Sequence, residues 1–321
     1  MAQFIARRVF YMVLAFLVIS LVTYFLMKAA PGSFLAMNVG VNGASFGADQ
    51  YQVSPQVMAA IIRHYHLNAP WYAQWWGFVE GFVTLHMGTS FEYPNTPTLA
   101  LIKQTFPVSL SLALISTGVG LAVAIPFGVF AAIRANTWLD STAMFAAMSG
   151  TAIPAYVIAV FLILVFGVWT RALPILGYQG AKYYVLPVFS LAIPMIGASS
   201  RYLRNSLIEN LHAEYVTAIF ARGGNLWQVV LGNALKNSLL PLITTVGPQL
   251  AGLMMGTVFI EEMFGLPGMG HIFVNAAGRR DYPLIMDAAM LYSVVIMVMN
   301  LLVDLVYGLL DPRIRKSGRM G

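Results

Sequence analysis

The run QTFPVSLSLALISTGVGLAVAIPFGVFAAI, Gln104 to Ile133, carries no charge between Lys103 and Arg134. About 20 mainly apolar residues cross the hydrocarbon core of a bilayer as a helix, so this run reads as a membrane span with a turn or two to spare. Five other stretches read the same way: Val9 to Met27, Ser141 to Thr170, Tyr183 to Ser200, Asn237 to Ile260, and Tyr282 to Val303, the last interrupted only by Asp287. The expectation is an all-α membrane protein with six transmembrane helices. Arg7-Arg8 ahead of the first run also fits a signal peptide. Its apolar core is long for that purpose, however, and in Lys28-Ala29-Ala30-Pro31-Gly32 the proline spoils the cleavage site, so the run reads as a retained span.

Composition agrees with this reading. Of the 321 residues, 59% are hydrophobic and 9% charged, whereas soluble domains are about 45–50% apolar and about 25% charged. Such a chain lacks the polar residues to cover a water-facing surface, which excludes a soluble enzyme, and it is too apolar to stay disordered. With no cysteine, disulfides and thiolate chemistry are impossible within it. The net charge of +6 is spread along the chain rather than gathered in a stripe, which suits anchoring at a lipid surface and not nucleic acid.

Six spans place both termini on one side, and the positive-inside rule assigns that side to the cytoplasm. The inner segments then hold Arg7, Arg8, Arg134, Arg201, Arg204, Arg222, Lys236, Arg313, Arg315, Lys316 and Arg319, while the seven other basic residues spread over longer outer loops. The outer segment from Pro31 to Thr98 has Ser54-Pro55 opening a helical pattern, then Trp71, Tyr72, Trp75, Trp76 and Phe78. Proline after serine starts helices, and tryptophan gathers at membrane interfaces. A helical cap resting on the outer leaflet is expected. The inner segment, Arg201 to Lys236, has helical spacing without the apolar length to cross.

Within the spans, Pro126, Pro154, Pro187, Pro194 and Pro248 and the small residues Gly120, Ala124, Gly128, Gly252 and Gly256 read as kinks and close helix contacts. The sequence has no phosphate loop, H-E-x-x-H or G-x-S-x-G pattern. His64, His66, His86, His212 and His271 show no metal-site spacing, so neither a metal nor another cofactor is expected. Asp287 and Asp304 sit near the ends of the last span, within reach of water, and Glu261 and Glu262 at the outer end of the fifth are read as wet. Intramembrane acids that would mark a proton path are therefore lacking.

The inner segment reads Glu214-Tyr215-Val216-Thr217-Ala218-Ile219-Phe220-Ala221-Arg222-Gly223 and continues through Asn233-Ala234-Leu235-Lys236-Asn237-Ser238 to Pro241. It resembles the cytoplasmic EAA loop of ABC importer permeases, in the form carried by the first membrane subunit of oligopeptide and dipeptide importers. Glu261, Phe264, Pro267, Gly268 and Gly270 match the family's E-x-x-F-x-x-P-G-x-G pattern, and Arg280-Asp281-Tyr282-Pro283 follows. Asp304 and Asp311-Pro312-Arg313-Ile314-Arg315 resemble the family's ending. Tyr65-His66-Leu67-Asn68-Ala69-Pro70, Gln74 and Gly88-Thr89-Ser90 resemble its outer segment. Two positions depart from the general motif: Thr217 stands where it opens with Glu, and Lys236 where it has Pro. The peptide-importer form tolerates both. Gly224 adds a second glycine expected to loosen the turn, and Val39 to Gly47 looks like an insertion.

The resemblance implies a type I ABC importer permease (MetI-like) fold: a first helix and extracellular helical segment over 1–98, a transmembrane domain over 99–310 containing the coupling loop at about 201–236, and a cytoplasmic tail over 311–321. It implies a multi-pass protein of a bacterial or archaeal cytoplasmic membrane, without catalysis of its own. Its partners would be a second related permease, two ABC ATPase subunits, an extracellular solute-binding protein, a peptide substrate and membrane lipid. Glu214, Tyr215, Thr217, Ala218, Ala221, Arg222 and Gly223 would couple to the ATPase; Glu261, Phe264, Pro267, Gly268 and Gly270 would form an outer lip facing the binding protein. Two alternatives stay open: the same fold importing nickel, haem or glutathione, and a self-contained carrier or channel. For the coupling stretch, a plain amphipathic helix on the membrane is the competing reading, and for the lip, a structural turn.

Overall fold

The computed structural model describes residues 2–30, 69–93 and 95–310, and every regular element among them is helical. The Ser54-Pro55 start, His64 and His66, the Val39 to Gly47 stretch and the tail from Asp311 onward lie outside the described residues, as does the side chain of Asp304. In chain order the helices are α1 (Ala2–Ala29), α2 (Trp71–Val83), α3 (Thr98–Ile133), α4 (Trp138–Ala152), α5 (Ala155–Leu162) with a π-helical continuation over Ile163–Trp169, α6 (Ala181–Leu211), α7 (Glu214–Ala221), α8 (Leu226–Val229) with a π-helical turn over Val230–Ala234, α9 (Leu235–Phe264), α10 (Met269–Arg279) and α11 (Tyr282–Leu310). Four are long and apolar enough to cross a membrane, and the number reaches six when each of two bent pairs counts as one span.

The kink expected at Pro154 in the Ser141 to Thr170 stretch is a sharp break. The chain turns by 103° between α4 and α5. Proline has no N–H for the helix ladder and pushes the preceding residue out of the helical region; Ile153 is accordingly extended, at φ −102° and ψ 126°, and Pro154 restarts the chain as the cap of α5. A second bend, of 43°, falls between Ile243 and Thr245 in α9, between Pro241 and Pro248.

The chain divides into two compact units, residues 1–107 with 268–297 and residues 108–267 with 298–321. In the first unit α2 runs antiparallel along α1. Phe25 stacks near Trp71, Tyr24 donates to Gln74 Oε1 at 3.0 Å, Trp75 Nε1 donates to Ser20 Oγ at 3.1 Å, and Phe16 meets Phe82. The tryptophan-bearing part of the expected cap, Trp71–Val83, is thus a helix lying alongside the first span. Pairing buried Gln74 with Tyr24 satisfies two polar groups that would otherwise hold the helices apart, while Trp71, Tyr72 and Trp76 stay exposed. A second core joins Ile102 of α3, Met269, Ile272 and Ala276 of α10, and Leu284, Ala288 and Tyr292 of α11.

In the second unit α3 and α6 pack side by side. A Cβ on Gly120 would lie 3.1 Å from Met195 Sδ, one on Gly128 would lie 2.9 Å from the Ser200 carbonyl, and Ser200 Oγ donates to the Ala124 carbonyl at 3.3 Å. The Gly120, Ala124, Gly128 ladder is this contact. Gly252, by contrast, faces open space. Helix α4 runs antiparallel to α6: a Cβ on Gly150 would lie 2.7 Å from Ile193 Cγ2, and one on Gly197 would overlap the Ala147 carbonyl. Where α4 begins, Arg204 grips Asp140 with Nε to Oδ1 at 2.6 Å and Nη2 to Oδ2 at 2.5 Å.

Candidate functional site

Helix α7 hangs from the end of α6. The chain leaves α6 at His212 and becomes extended at Ala213, and Glu214 sits in the first turn of α7, where a carboxylate complements the helix dipole. Val216 is buried among Ala132, Leu207, Val229, Val230 and Ala234, with Tyr215 and Ile219 packed beside it. Glu214, Thr217, Ala218 and Ala221, spaced i, i+3, i+4 and i+7, are all exposed and form a single stripe. The expected coupling residues therefore divide: Tyr215 faces the core, and the others lie on the free face or at the cap.

The end of α7 is built by two glycines doing different work. Gly223 has φ +82° and donates to the Phe220 carbonyl at 2.9 Å; Gly224 donates to the Ile219 carbonyl at 3.0 Å. These are the two bonds of a Schellman stop. Gly224 does not loosen the turn as expected. It closes it, since a Cβ there would lie 2.5 Å from Ile219 Cγ2 and 2.9 Å from the Ile219 carbonyl. The next residue restarts a helix with reciprocal capping bonds: Gln228 N donates to Asn225 Oδ1, and Asn225 N to Gln228 Oε1, both at 2.9 Å. Phe220 and Trp227 are 46% and 58% exposed.

The expected lip is mostly interior. Glu261, Phe264, Gly268 and Gly270 are buried and Pro267 is partly exposed. Glu261 is not wet, as its place at a span end had suggested; it is fully buried, whereas Glu262 is exposed. Gly265, at φ +62°, ends α9 in the left-handed conformation; Leu266 N donates to the Glu261 carbonyl at 2.9 Å, and Gly268 caps α10. In this arrangement the E-x-x-F-x-x-P-G-x-G pattern serves the turn between two helices.

The first unit holds a polar cluster that unites two of the sequence motifs. Ser90 of Gly88-Thr89-Ser90 donates to Asp281 of Arg280-Asp281-Tyr282-Pro283, which also accepts from Glu92 N at 3.1 Å and Leu284 N at 3.3 Å. Thr98 donates to Asp287 at 2.5 Å, and Arg279 Nε pairs with Glu92 at 3.0 Å. Asp281 and Asp287 are buried, so Asp287 is sealed from water instead of reaching it from a helix end. Buried carboxylates need donors, and this cluster straps the segment before α3 to α10 and α11. Burial raises the Glu92 carboxyl above its ordinary range, opposed by the Arg279 guanidinium. Among the described residues no group of three or more His, Cys, Asp or Glu side chains is placed to hold a metal ion.

Several of these roles were not visible in the sequence. Asp140 marks only the edge of a charge-free run there, Arg204 counts only toward orientation, and nothing in the spacing pairs them. Asp281 had a local signal: an Asp directly before Tyr282-Pro283 is placed to cap a helix.

The model of the binding-protein-dependent transport system inner membrane component matches residues 124–316, and that of the N-terminal part of such membrane components matches residues 1–113. The oligopeptide transport system permease protein OppB of Haemophilus influenzae is 34% identical over 317 residues, covering 98% of this chain and 100% of that protein. The dipeptide transport system permease protein DppB of Bacillus subtilis is 34% identical over 315 residues, covering 98% of each. In fold, the MetNI methionine ABC transporter superposes with a TM-score of 0.53 at 19% identity, covering 65% of this chain and 97% of that one. With this match along its length, the chain belongs to the family of binding-protein-dependent transport system inner membrane components.

Proposed function

We propose that this chain is one of two permease subunits in an ATP-driven importer of di- and oligopeptides. It supplies half of the translocation pathway and no ATP chemistry. A second, related permease completes the pathway, two ATPase subunits bind on the cytoplasmic side, and an external binding protein delivers the peptide. Both termini and α7 are cytoplasmic, as the distribution of arginine and lysine favours. The observation that carries this reading is α7: Glu214, Thr217, Ala218 and Ala221 form an exposed stripe, and the helix is stopped by the Gly223-Gly224 turn, a shape suited to seating in a groove. The peptide class is supported by the full-length similarity to oligopeptide and dipeptide permeases.

Reconstitution in steps tests it. Liposomes holding this chain alone, then with its sister permease and the ATPases, then with the binding protein, are supplied with a labelled dipeptide and a labelled pentapeptide. Concentrative uptake is expected only in the full assembly with ATP. Uptake against a gradient by the chain alone would establish a self-contained carrier instead. An assembly that takes up nickel, haem or glutathione but neither peptide would overturn the substrate class.

A further inference from the structure

We propose that Asp140 and Arg204 form a clamp that makes α4 and α6 move as one body when α7 is driven, so that both are positioning residues for energy transfer. The proposal rests on α7 being the ATPase-docking helix. The two helices are held at three levels. At Gly150 and Gly197 the contact is steric, a glycine lying against Ile193 and against the Ala147 carbonyl. Contacts of this kind bring backbones close but resist sliding weakly. At the third level, the Arg204 fork takes both oxygens of Asp140, at 2.6 and 2.5 Å. Two parallel charge-assisted bonds fix the register and rotation of one helix on the other.

The clamp is connected at both ends. Asp140 Oδ2 also accepts from Asn136 N at 3.0 Å, and Asn136 is left-handed at φ +63°, so the carboxylate holds the tight turn joining α3 to α4. Arg204 lies one helical turn before Leu207, which is fully buried against Val216 of α7. A push on α7 therefore enters α6 at Leu207, three residues from the guanidinium that grips α4. The Asp140 side chain is 4% exposed and that of Arg204 21%, and an unpaired charge in such a place is costly. This grip needs no partner subunit to complete it.

The test uses the complete importer in proteoliposomes, with the labelled dipeptide as probe and partner subunits free of cysteine. Asp140→Asn, Arg204→Gln and Asp140→Glu, which keeps the charge but displaces the fork, are expected to keep ATP turnover while peptide moved per ATP falls by about three- to thirtyfold. This chain has no cysteine, so Asp140→Cys combined with Arg204→Cys allows a short bifunctional thiol reagent to tether the two positions. The tether is expected to restore the ratio, because it replaces the geometry and not the charge. An unchanged ratio in the single variants, a parallel fall of uptake and ATP turnover, failure of the thiols to be bridged, or a tether that forms without restoring transport would each overturn the clamp. A wild-type assembly without ATP-driven uptake would overturn the permease reading instead.

Discussion

Replacing Gly223 tests the end of α7 directly. Its φ of +82° is open to glycine and costly to other L residues, and a Cβ at this position would meet nothing within 4 Å. The cost of a side chain is thus purely that of the backbone, about 1–2 kcal/mol for an L residue in the left-handed region, and greatest when it is β-branched. Asparagine tolerates that region, and this chain itself places Asn95 and Asn136 there, at φ +62° and +63°. Gly223→Val therefore shifts the stopped helix end toward a frayed one by roughly five- to thirtyfold, which is the ceiling on the loss of ATP-coupled uptake. Gly223→Asn stays close to wild type. Gly224→Ala also fails, for a different reason: its methyl displaces Ile219, which is packed beside Val216. The assay is ATP-driven peptide uptake at matched membrane levels. Wild-type uptake by Gly223→Val, or equal damage from Val and Asn, would refute the reasoning.

Other expectations follow from single contacts. Gly197→Ala forces α4 off α6, because the new methyl overlaps the Ala147 carbonyl; overpacking of this kind costs about 1–3 kcal/mol, read as a lower melting temperature in detergent. Ser90→Ala takes a donor from buried Asp281 and lowers stability by about 1.5–3 kcal/mol; an unchanged melting temperature would count against the strap. Glu92 has a raised carboxyl, so the fold holds its proton longer than the unfolded chain does, and its contribution declines as pH rises from the ordinary glutamate range through the raised one. Glu92→Gln removes that slope, and a pH–stability profile identical to wild type would contradict it. For orientation, Lys182→Cys, exposed at the start of α6, is expected to react with an impermeant thiol reagent in intact cells and Ala218→Cys not to; the reverse pattern would put α7 outside.

The periodic and apolar parts of this fold were legible in the sequence, and the long-range polar parts were not. Charge-free runs locate α1, α3, α6, α9 and α11 because a bilayer demands an uninterrupted apolar length. They also locate the stretch from Ser141 to Thr170, but Pro154 is equally compatible with a gentle kink and a sharp break, and only the 103° turn tells them apart. Gly223 was readable as a stop from its place after a short helix. The work of Gly224 was not, because it depends on where the Ile219 side chain lies. Position near a span end suggested water for Glu261 and Asp287, yet both are buried. Nearness to an end along one helix says nothing about what packs over that end.

What escapes a linear reading has a common physical form here. A chain with 9% charged residues leaves few carboxylates inside its packed units, and each one costs free energy unless donors reach it. The side-chain donors for Asp140, Asp281 and Asp287 come from residues 64, 191 and 189 positions away. Apolar contacts between membrane helices are plentiful and nearly interchangeable, so they bring helices together without selecting one register. The directional bonds supply that selection. Loss of a buried apolar contact should therefore lower stability in proportion to the volume removed, whereas loss of Asp140, Asp281 or Asp287 should alter which helices move together.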